Sequence, residues 1–455
     1  MISALKKAGF LVMVGGILLM IPGLGAAAQD GGSFSGSAEA GYRFRTDGTN
    51  SDADWVERLY LQGFTPWKLL GDGTEVGFVF LGALQEDVDG KPKPGKFDRF
   101  RDIADSYEDS TVGWLYLAYG ELKSPGTLQL LRAGRQDLLE LEPIAFDGGL
   151  VCVRPLSKVN LRLTAFGGVP TNLYELNDHR EGDSVLGGYL DWRVLRSLSL
   201  RAGYLSLRDQ VALLDGAERT LDEGLAVLQT AWNPTREDSW LGRVTLQDGE
   251  LRDVTVRSSH RDEDRNFNLS AYYTGLYLTR EVLPLTEDPF SILLSDYHPY
   301  HQAGLTAYKG MGERLGVEGG AVVRRLFDQD QENRYNHSWE RYFLSLSVNK
   351  VPLAKSQFMI GADWWVAEES HNETRSLRAE YDQRLGKGGF FRVGTAFDLY
   401  KVDEFTGEER VDVQTYYTNL GVPVWKKLMV LAGYSFEDSR LREVDTFRAR
   451  VRYEF

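Results

Sequence analysis

Between Ser33 and Phe455 apolar and polar residues alternate along one segment after another. Val159, Leu161, Leu163 and Ala165 alternate with Asn160, Arg162 and Thr164, and Leu198, Leu200, Ala202 and Tyr204 with Ser199, Arg201 and Gly203. Leu377, Ala379 and Tyr381 alternate with Arg378, Glu380, Asp382 and Arg384, and Phe447, Ala449, Val451, Tyr453 and Phe455 with Arg448, Arg450, Arg452 and Glu454. A period of two puts successive side chains on opposite faces of a β-strand, so each segment reads as a strand with one apolar and one polar face. A half-buried soluble sheet and a membrane barrel both alternate in this way, so the pattern alone does not separate them.

The connectors do. Short ones sit at 71–73, 123–126, 155–157, 195–197, 233–237, 310–312, 351–354, 386–389 and 423–426. Longer, more polar ones fall between them at 46–53, 86–109, 137–146, 170–182, 209–218, 280–296, 328–337 and 402–409. That rhythm suits an up-and-down barrel with tight periplasmic turns and longer external loops, whereas a Greek-key sandwich has no reason to keep it. The fold expected is all-β, a single transmembrane antiparallel up-and-down β-barrel over residues 29–455. About 18 to 22 strands fit, always an even number. The spread comes from Trp240 to Arg261, which reads as two strands or as an over-divided hairpin, and from weak segments near Gln129 and Val151.

The head of the chain is a separate element. Lys6 and Lys7, the apolar run from Ala8 to Leu24 and the small residues Ala26, Ala27 and Ala28 form a secretory signal peptide over residues 1–28, with cleavage expected after Ala28. Beyond Leu24 no apolar run is long enough to cross a membrane as a helix, and the mean hydropathy is −0.32. Membrane strands escape that filter because their lumen-facing residues dilute the average. The 22 Tyr, 22 Phe and 10 Trp suit the aromatic girdles of a barrel. Cys152 is the single cysteine, which excludes an internal disulfide, a Cys-x-x-Cys-His haem site and a thiolate metal cluster. The formal charge of −14, which becomes more negative once Lys6 and Lys7 leave, makes nucleic acid an unsuitable partner.

In such a barrel the polar faces line the lumen. Arg162, Arg193, Arg201, Arg378, Glu380, Asp382, Arg384, Arg392, Arg448, Arg450 and Arg452 are the candidate pore-lining charges. Mixed rows of arginine and carboxylate either set a transverse field that acts on permeants or form ion-pair ladders that stiffen the wall. The 86–109 connector, with eight carboxylates against five bases, suits an external loop or one folded inward as a constriction. Enzymatic signatures are missing: there is no Gly-x-Ser-x-Gly, and His298 and His301 beside Asp296 form only a weak metal spacing on a non-helical stretch. Neither catalysis nor a cofactor is expected.

Two stretches resemble known proteins. An alternating segment that stops on an aromatic residue resembles the closing strand of Gram-negative outer-membrane barrels, which is read by the barrel-insertion machinery. That resemblance gives Phe447, Val451, Tyr453 and Phe455 the role of assembly signal and places the chain among outer-membrane lipid. Arg132-Ala-Gly-Arg-Gln136, followed by Phe146-Asp147-Gly148-Gly149, resembles a motif of the alginate-export family of outer-membrane porins. It implies a barrel at the low end of the strand range, an inward Arg135 and a turn at Asp147–Gly148. The function expected first is a porin for small hydrophilic solutes. A sleeve around a periplasmic partner such as an electron-transfer cytochrome, and an exporter of an acidic polysaccharide, are the alternatives.

Overall fold

The alternating segments become β1 (Ser33–Thr46), β2 (Ser51–Pro66), β3 (Glu75–Asp87), β4 (Thr111–Lys123), β5 (Leu128–Leu138), β6 (Ile144–Leu156), β7 (Leu161–Pro170) and β8 (Ser184–Leu195). There follow β9 (Leu198–Ala212), β10 (Glu218–Trp232), β11 (Asp238–Gln247), β12 (Glu250–Asp262), β13 (Phe267–Leu276), β14 (Tyr300–Met311) and β15 (Leu315–Leu326). The chain ends with β16 (Trp339–Asn349), β17 (Ser356–Ala367), β18 (Asn372–Arg384), β19 (Phe390–Val402), β20 (Glu409–Trp425), β21 (Leu428–Asp438) and β22 (Glu443–Glu454). The structure is a computed structural model that describes residues 32–66, 73–89, 100, 111–156, 159–171, 182–212, 218–279, 297–332, 336–367, 372–402 and 409–455. The expected signal peptide over residues 1–28 and most of the 86–109 connector lie outside the described residues.

Each strand pairs antiparallel with its chain neighbours, and β1 also pairs with β22, so the 22-stranded sheet closes on itself. Closure leaves no row of unpaired N–H and C=O groups to meet hydrocarbon. The seam runs from Ser37↔Glu454 to Thr46↔Asp445 and continues to Phe455. The Phe455 N–H donates to the Gly36 carbonyl at 3.1 Å and its carbonyl accepts from Gly36 at 3.2 Å. Its ring stacks on Phe34 at 5.8 Å and on Tyr453 at 5.9 Å. A Cβ on Gly36 would lie 2.7 Å from that ring, so the glycine makes room for it.

The strand count sits at the top of the expected range, which overturns the low count implied by the alginate-export likeness. Trp240 to Arg261 is two strands, β11 and β12, joined by Asp248 and Gly249 with φ of 53° and 89°, the left-handed pair that a two-residue hairpin requires. The weak segments near Gln129 and Val151 are β5 and β6. The connector expected at 46–53 shrinks to 47–50, because Arg43 and Arg45 stand opposite Asp54 and Asp52 in register and carry the strands further out. Polar residues that read as a loop are there the inner face of a strand.

Which face is inner follows from contacts between strands that are not neighbours. The connector between β5 and β6 touches Gly203 on β9 and Arg243 on β11; in a closed sheet such contacts run through the interior. The pairing registers carry that parity round the wall. It puts Arg201 and Arg378 inside, and Leu186, Leu344 and Leu377, which are 66, 61 and 68% exposed, outside. Trp55 and Trp364 stand near the long-connector rim, and Trp192, Trp232, Trp240 and Trp425 near the other, all exposed. Two such exposed aromatic rings are what the girdles of a membrane barrel look like.

Candidate functional site

Strands about 4.8 Å apart and tilted about 40° make a barrel of this count roughly 40 Å across the backbone, so what matters is what narrows it. Among the described residues the narrowing element is the hairpin of β5 and β6. Its lower part is stitched to the wall: Arg132 bonds Glu121 of β4 at 3.1 Å and lies 4.2 Å over the Tyr119 ring. At Gly134, φ is 122°, in the left-handed half of the map that favours glycine. Above it β5 parts from β4: their pairing ends at Ala118↔Arg135, while β4 runs on to Thr111 paired only with β3. Gly134, Gly148 and Gly168 are in register across β5, β6 and β7, and a Cβ on any of them would collide with neighbouring backbone. The row of glycines lets the sheet fold sharply here.

Two side chains hold the fold line. Arg135 meets Asp147 with two parallel bonds of 2.8 and 2.7 Å and donates to the Leu115 carbonyl of β4 at 3.3 Å. Buried Gln136 donates to the Gly148 carbonyl at 3.1 Å. The Arg-x-Gly-Arg-Gln and Asp-Gly-Gly stretches are therefore the hinge of the hairpin. Asp147–Gly148 is not a turn but lies within β6, and Arg135 is an ion-paired hinge residue. The turn is at 139–143, and it points into the barrel instead of forming the external loop expected over 137–146.

The tip is docked by apolar packing and by charge. Leu138, Leu141 and Phe146 are fully buried and cluster with Leu150, Phe166, Val185, Leu205, Leu225 and Val227. Phe166, Val185, Leu205, Leu225 and Val227 break the polar-inside rule on β7 to β10 because the hairpin covers them. Leu141 fills the space beside Gly203, where a Cβ would come within 2.6 Å of its Cδ2. Glu142 accepts from Arg252 at 2.8 Å and lies 3.6 Å from Arg243, which also donates to the Leu141 carbonyl. Arg252 reaches inward because the β11–β12 register shifts beside it, and a bulge re-aims a side chain that alternation would send to the other face. Asp253 accepts from Arg252 at 2.8 Å and from Thr245 at 3.0 Å, so the clamp is itself braced.

The charges read from sequence fall mostly into pairs between adjacent strands. Asp191 joins Arg162 at 3.3 Å and Arg201 at 2.7 Å. Arg392 joins Asp382 at 2.9 Å and approaches Glu380 at 3.7 Å, and Tyr417 donates to Glu380. Arg378 meets Asp363 at 3.2 Å, Arg450 meets Glu39 at 3.4 Å and Arg452 meets Glu454 at 3.1 Å. Arg448 stands opposite Arg43 in register, while Arg193 and Arg384 lie near the short-turn rim. Apart from Arg378 and the buried Asp363, these pairs are partly exposed and contribute little to stability, so their consequence is the field they set.

A second inner cluster was missed. Arg45 bonds Asp52 at 2.7 Å, Arg43 bonds Asp54, and Gln85 donates to Asp54 at 3.0 Å. The Phe100 carbonyl accepts from Arg45 at 3.0 Å, and its ring lies 5.2 Å from Arg45 and 5.4 Å from Arg442. This one described residue of the 90–110 stretch thus folds onto the wall at the closing seam. His301 belongs to an outer aromatic group, with Nδ1 2.6 Å from the Tyr273 hydroxyl, and the His298 N–H donates to Asn336 at 3.0 Å. Asp296 lies outside the described residues, and among the described residues no group of three His, Cys, Asp or Glu could hold a metal.

Just beyond β3, burial raises the Asp89 carboxyl, and Asp87 adds to the rise; the Ala53 N–H bond opposes it and is outweighed, leaving the value at about 6. A raised carboxyl favours the neutral form in the folded chain. Its contribution is complete below the ordinary value of 3.8 and is lost as pH rises through about 6. Amide exchange at the outer ends of β2 and β3, corrected for intrinsic rates, should therefore be slower at pH 5 than at pH 7.5, and Asp89→Asn should flatten the difference. A slope that survives the substitution would assign the effect to another group.

No family model matches the chain, and no curated protein matches it in sequence. Solved structures match across nearly the whole barrel. OccAB2 of Acinetobacter baumannii shares 12% identity at a TM-score of 0.46, covering 94% of this chain and 98% of that one. OccK1 (OpdK) of Pseudomonas aeruginosa shares 11% at 0.43, covering 93% and 98%. OccK2 (OpdF) of the same organism, solved with glucuronate, shares 12% at 0.43, covering 93% and 98%. Likenesses this distant do not say what this chain carries.

Proposed function

We propose that this protein is an outer-membrane channel for small hydrophilic solutes, with the β5–β6 hairpin as its constriction. The observation that carries the reading is the docked tip. In this reading it narrows the lumen from the side of β7 to β12, and solutes pass along the remaining wall. Inner charges such as Arg378, Asp382, Arg392, Arg448, Arg450 and Arg452 would line that passage, and the exposed aliphatic and aromatic outer face would sit in lipid. In this reading residues 1–28 direct secretion, and Phe455 with Tyr453, Val451 and Phe447 presents the closing strand to the insertion machinery. A sleeve for a threaded protein is disfavoured, because the hairpin occupies the space such a partner would need.

Reconstitution in a planar bilayer tests this directly. The purified barrel should conduct alone, in discrete steps, without a partner; a silent barrel that inserts but does not conduct would refute the channel. Selectivity follows from which charges border the narrow passage. Arg448, Arg450 and Arg452 form a basic file on the closing strand beside Arg43, so reversal potentials under a salt gradient should show an anion preference. Arg450→Glu, placed beside Glu39, should weaken or invert it. A cation-selective channel indifferent to that substitution would mean that other groups set the field.

A further inference from the structure

We infer that the outer face of β16 to β18 binds a net-anionic phosphate lipid, with an acyl chain in a groove and the headgroup at Arg375. The inference rests on the membrane-spanning reading. Ala362 of β17 lies in register between Leu344 of β16 and Leu377 of β18. These leucines are 61 and 68% exposed, and the small residue between them leaves a furrow. One row closer to the long-connector rim stand Tyr342, Trp364 and Arg375, again in register. Together the six residues line a cavity of about 510 Å³.

The upper end of the furrow is aromatic and cationic. The Tyr342 and Trp364 rings lie 5.4 Å apart, and the Arg375 guanidinium sits 5.9 Å over Trp364. Arg325 reaches the same face and bonds Glu340, to which the Tyr342 hydroxyl also donates at 2.6 Å. Arg375 stands near the outer end of β18, at the depth where strands leave hydrocarbon and where tryptophan and arginine meet headgroups. An apolar furrow under a cation is complementary to an acyl chain under a phosphate that no choline neutralises. Either half alone would be ordinary lipid-facing surface.

Trp364 supplies the readout. The barrel is placed in vesicles containing a bromine-labelled lipid, either phosphatidylglycerol or phosphatidylcholine at equal mole fraction, and Trp364 quenching is isolated as the difference from Trp364→Phe. An arginine near a charged membrane surface enriches anionic lipid about fivefold, so brominated phosphatidylglycerol should quench Trp364 several-fold more effectively than phosphatidylcholine. Arg375→Gln should bring the two to parity. Equal quenching in the unmodified protein overturns the proposal, as does selectivity that survives Arg375→Gln. Quenching by neither lipid, as when a second barrel covers the furrow, overturns it too. Conductance recorded in the same lipids keeps the two readings apart: a conducting barrel without lipid selectivity refutes only the groove, and a lipid-selective barrel that does not conduct refutes only the channel.

Discussion

Glu142→Ala is expected to turn a steady channel into one that flickers to a higher conductance. The carboxylate accepts from Arg252 at 2.8 Å and lies 3.6 Å from Arg243, and the Arg252 side chain is 9% exposed. Losing the carboxylate removes a charge-assisted bond from the docked tip, worth about 1.5–3 kcal/mol, while Arg252 keeps Asp253 as a partner. Applied to a docked–undocked equilibrium, that is roughly 10- to 150-fold in population. Leu141→Ala should act in the same direction by a separate route. Its side chain packs against glycine and other fully buried residues that have little room to collapse, so truncation costs about 2–5 kcal/mol. The two changes share one tip and should not add. Neither belongs to the strand ladder that closes the wall, so the unfolding midpoint should move little while the single-channel record changes. Unaltered step size and noise in both variants would show that the hairpin is not the constriction.

That element was only half legible from sequence. Alternation reports which residues share a face when the strand lies in the wall, so Leu377 with Ala379, or Arg448 with Arg450, fall on a common face from period two alone. It cannot report that a strand leaves the wall. The signals were present: the glycines at 134, 148 and 168, and apolar residues such as Leu205 and Val227 on faces that should be polar. Each alone reads as a flexible turn or an imperfect strand, and only pairing in register makes them a hinge and a cover. Arg252 was invisible for a different reason, since a bulge reverses the parity that sequence reading assumes. Asp52 falls inside the connector expected at 46–53 and Asp54 at its edge, because neighbouring aspartates look like solvent until arginines stand opposite. The Arg-x-Gly-Arg-Gln stretch reads as a strand end before a turn, whereas it marks a fold line, and its second arginine is held by Asp147 in the next strand.

Ala379→Arg tests the outer face as a whole. Ala379 is central in β18, in register with Ile360, which is 44% exposed on the same face. If that face lies in lipid, a guanidinium there must be carried to hydrocarbon or snorkel along a wall of leucines, and the measured range for arginine at the midplane of a barrel is about 2–4 kcal/mol. Three positions along the same strand, Asp382 faces inward and meets Arg392 with side-chain exposures of 20 and 47%. Asp382→Asn keeps the shape, loses a half-solvated ion pair and should cost about 0–1 kcal/mol. Guanidinium titrations of the barrel in vesicles compare the two variants under one reference state, so differences in lipid or in the unfolded chain cancel. A large loss for Ala379→Arg with a small one for Asp382→Asn is what a membrane wall with a wet lumen produces. Similar losses would place both residues in comparable surroundings, and the outer face could not then be the one that meets the bilayer.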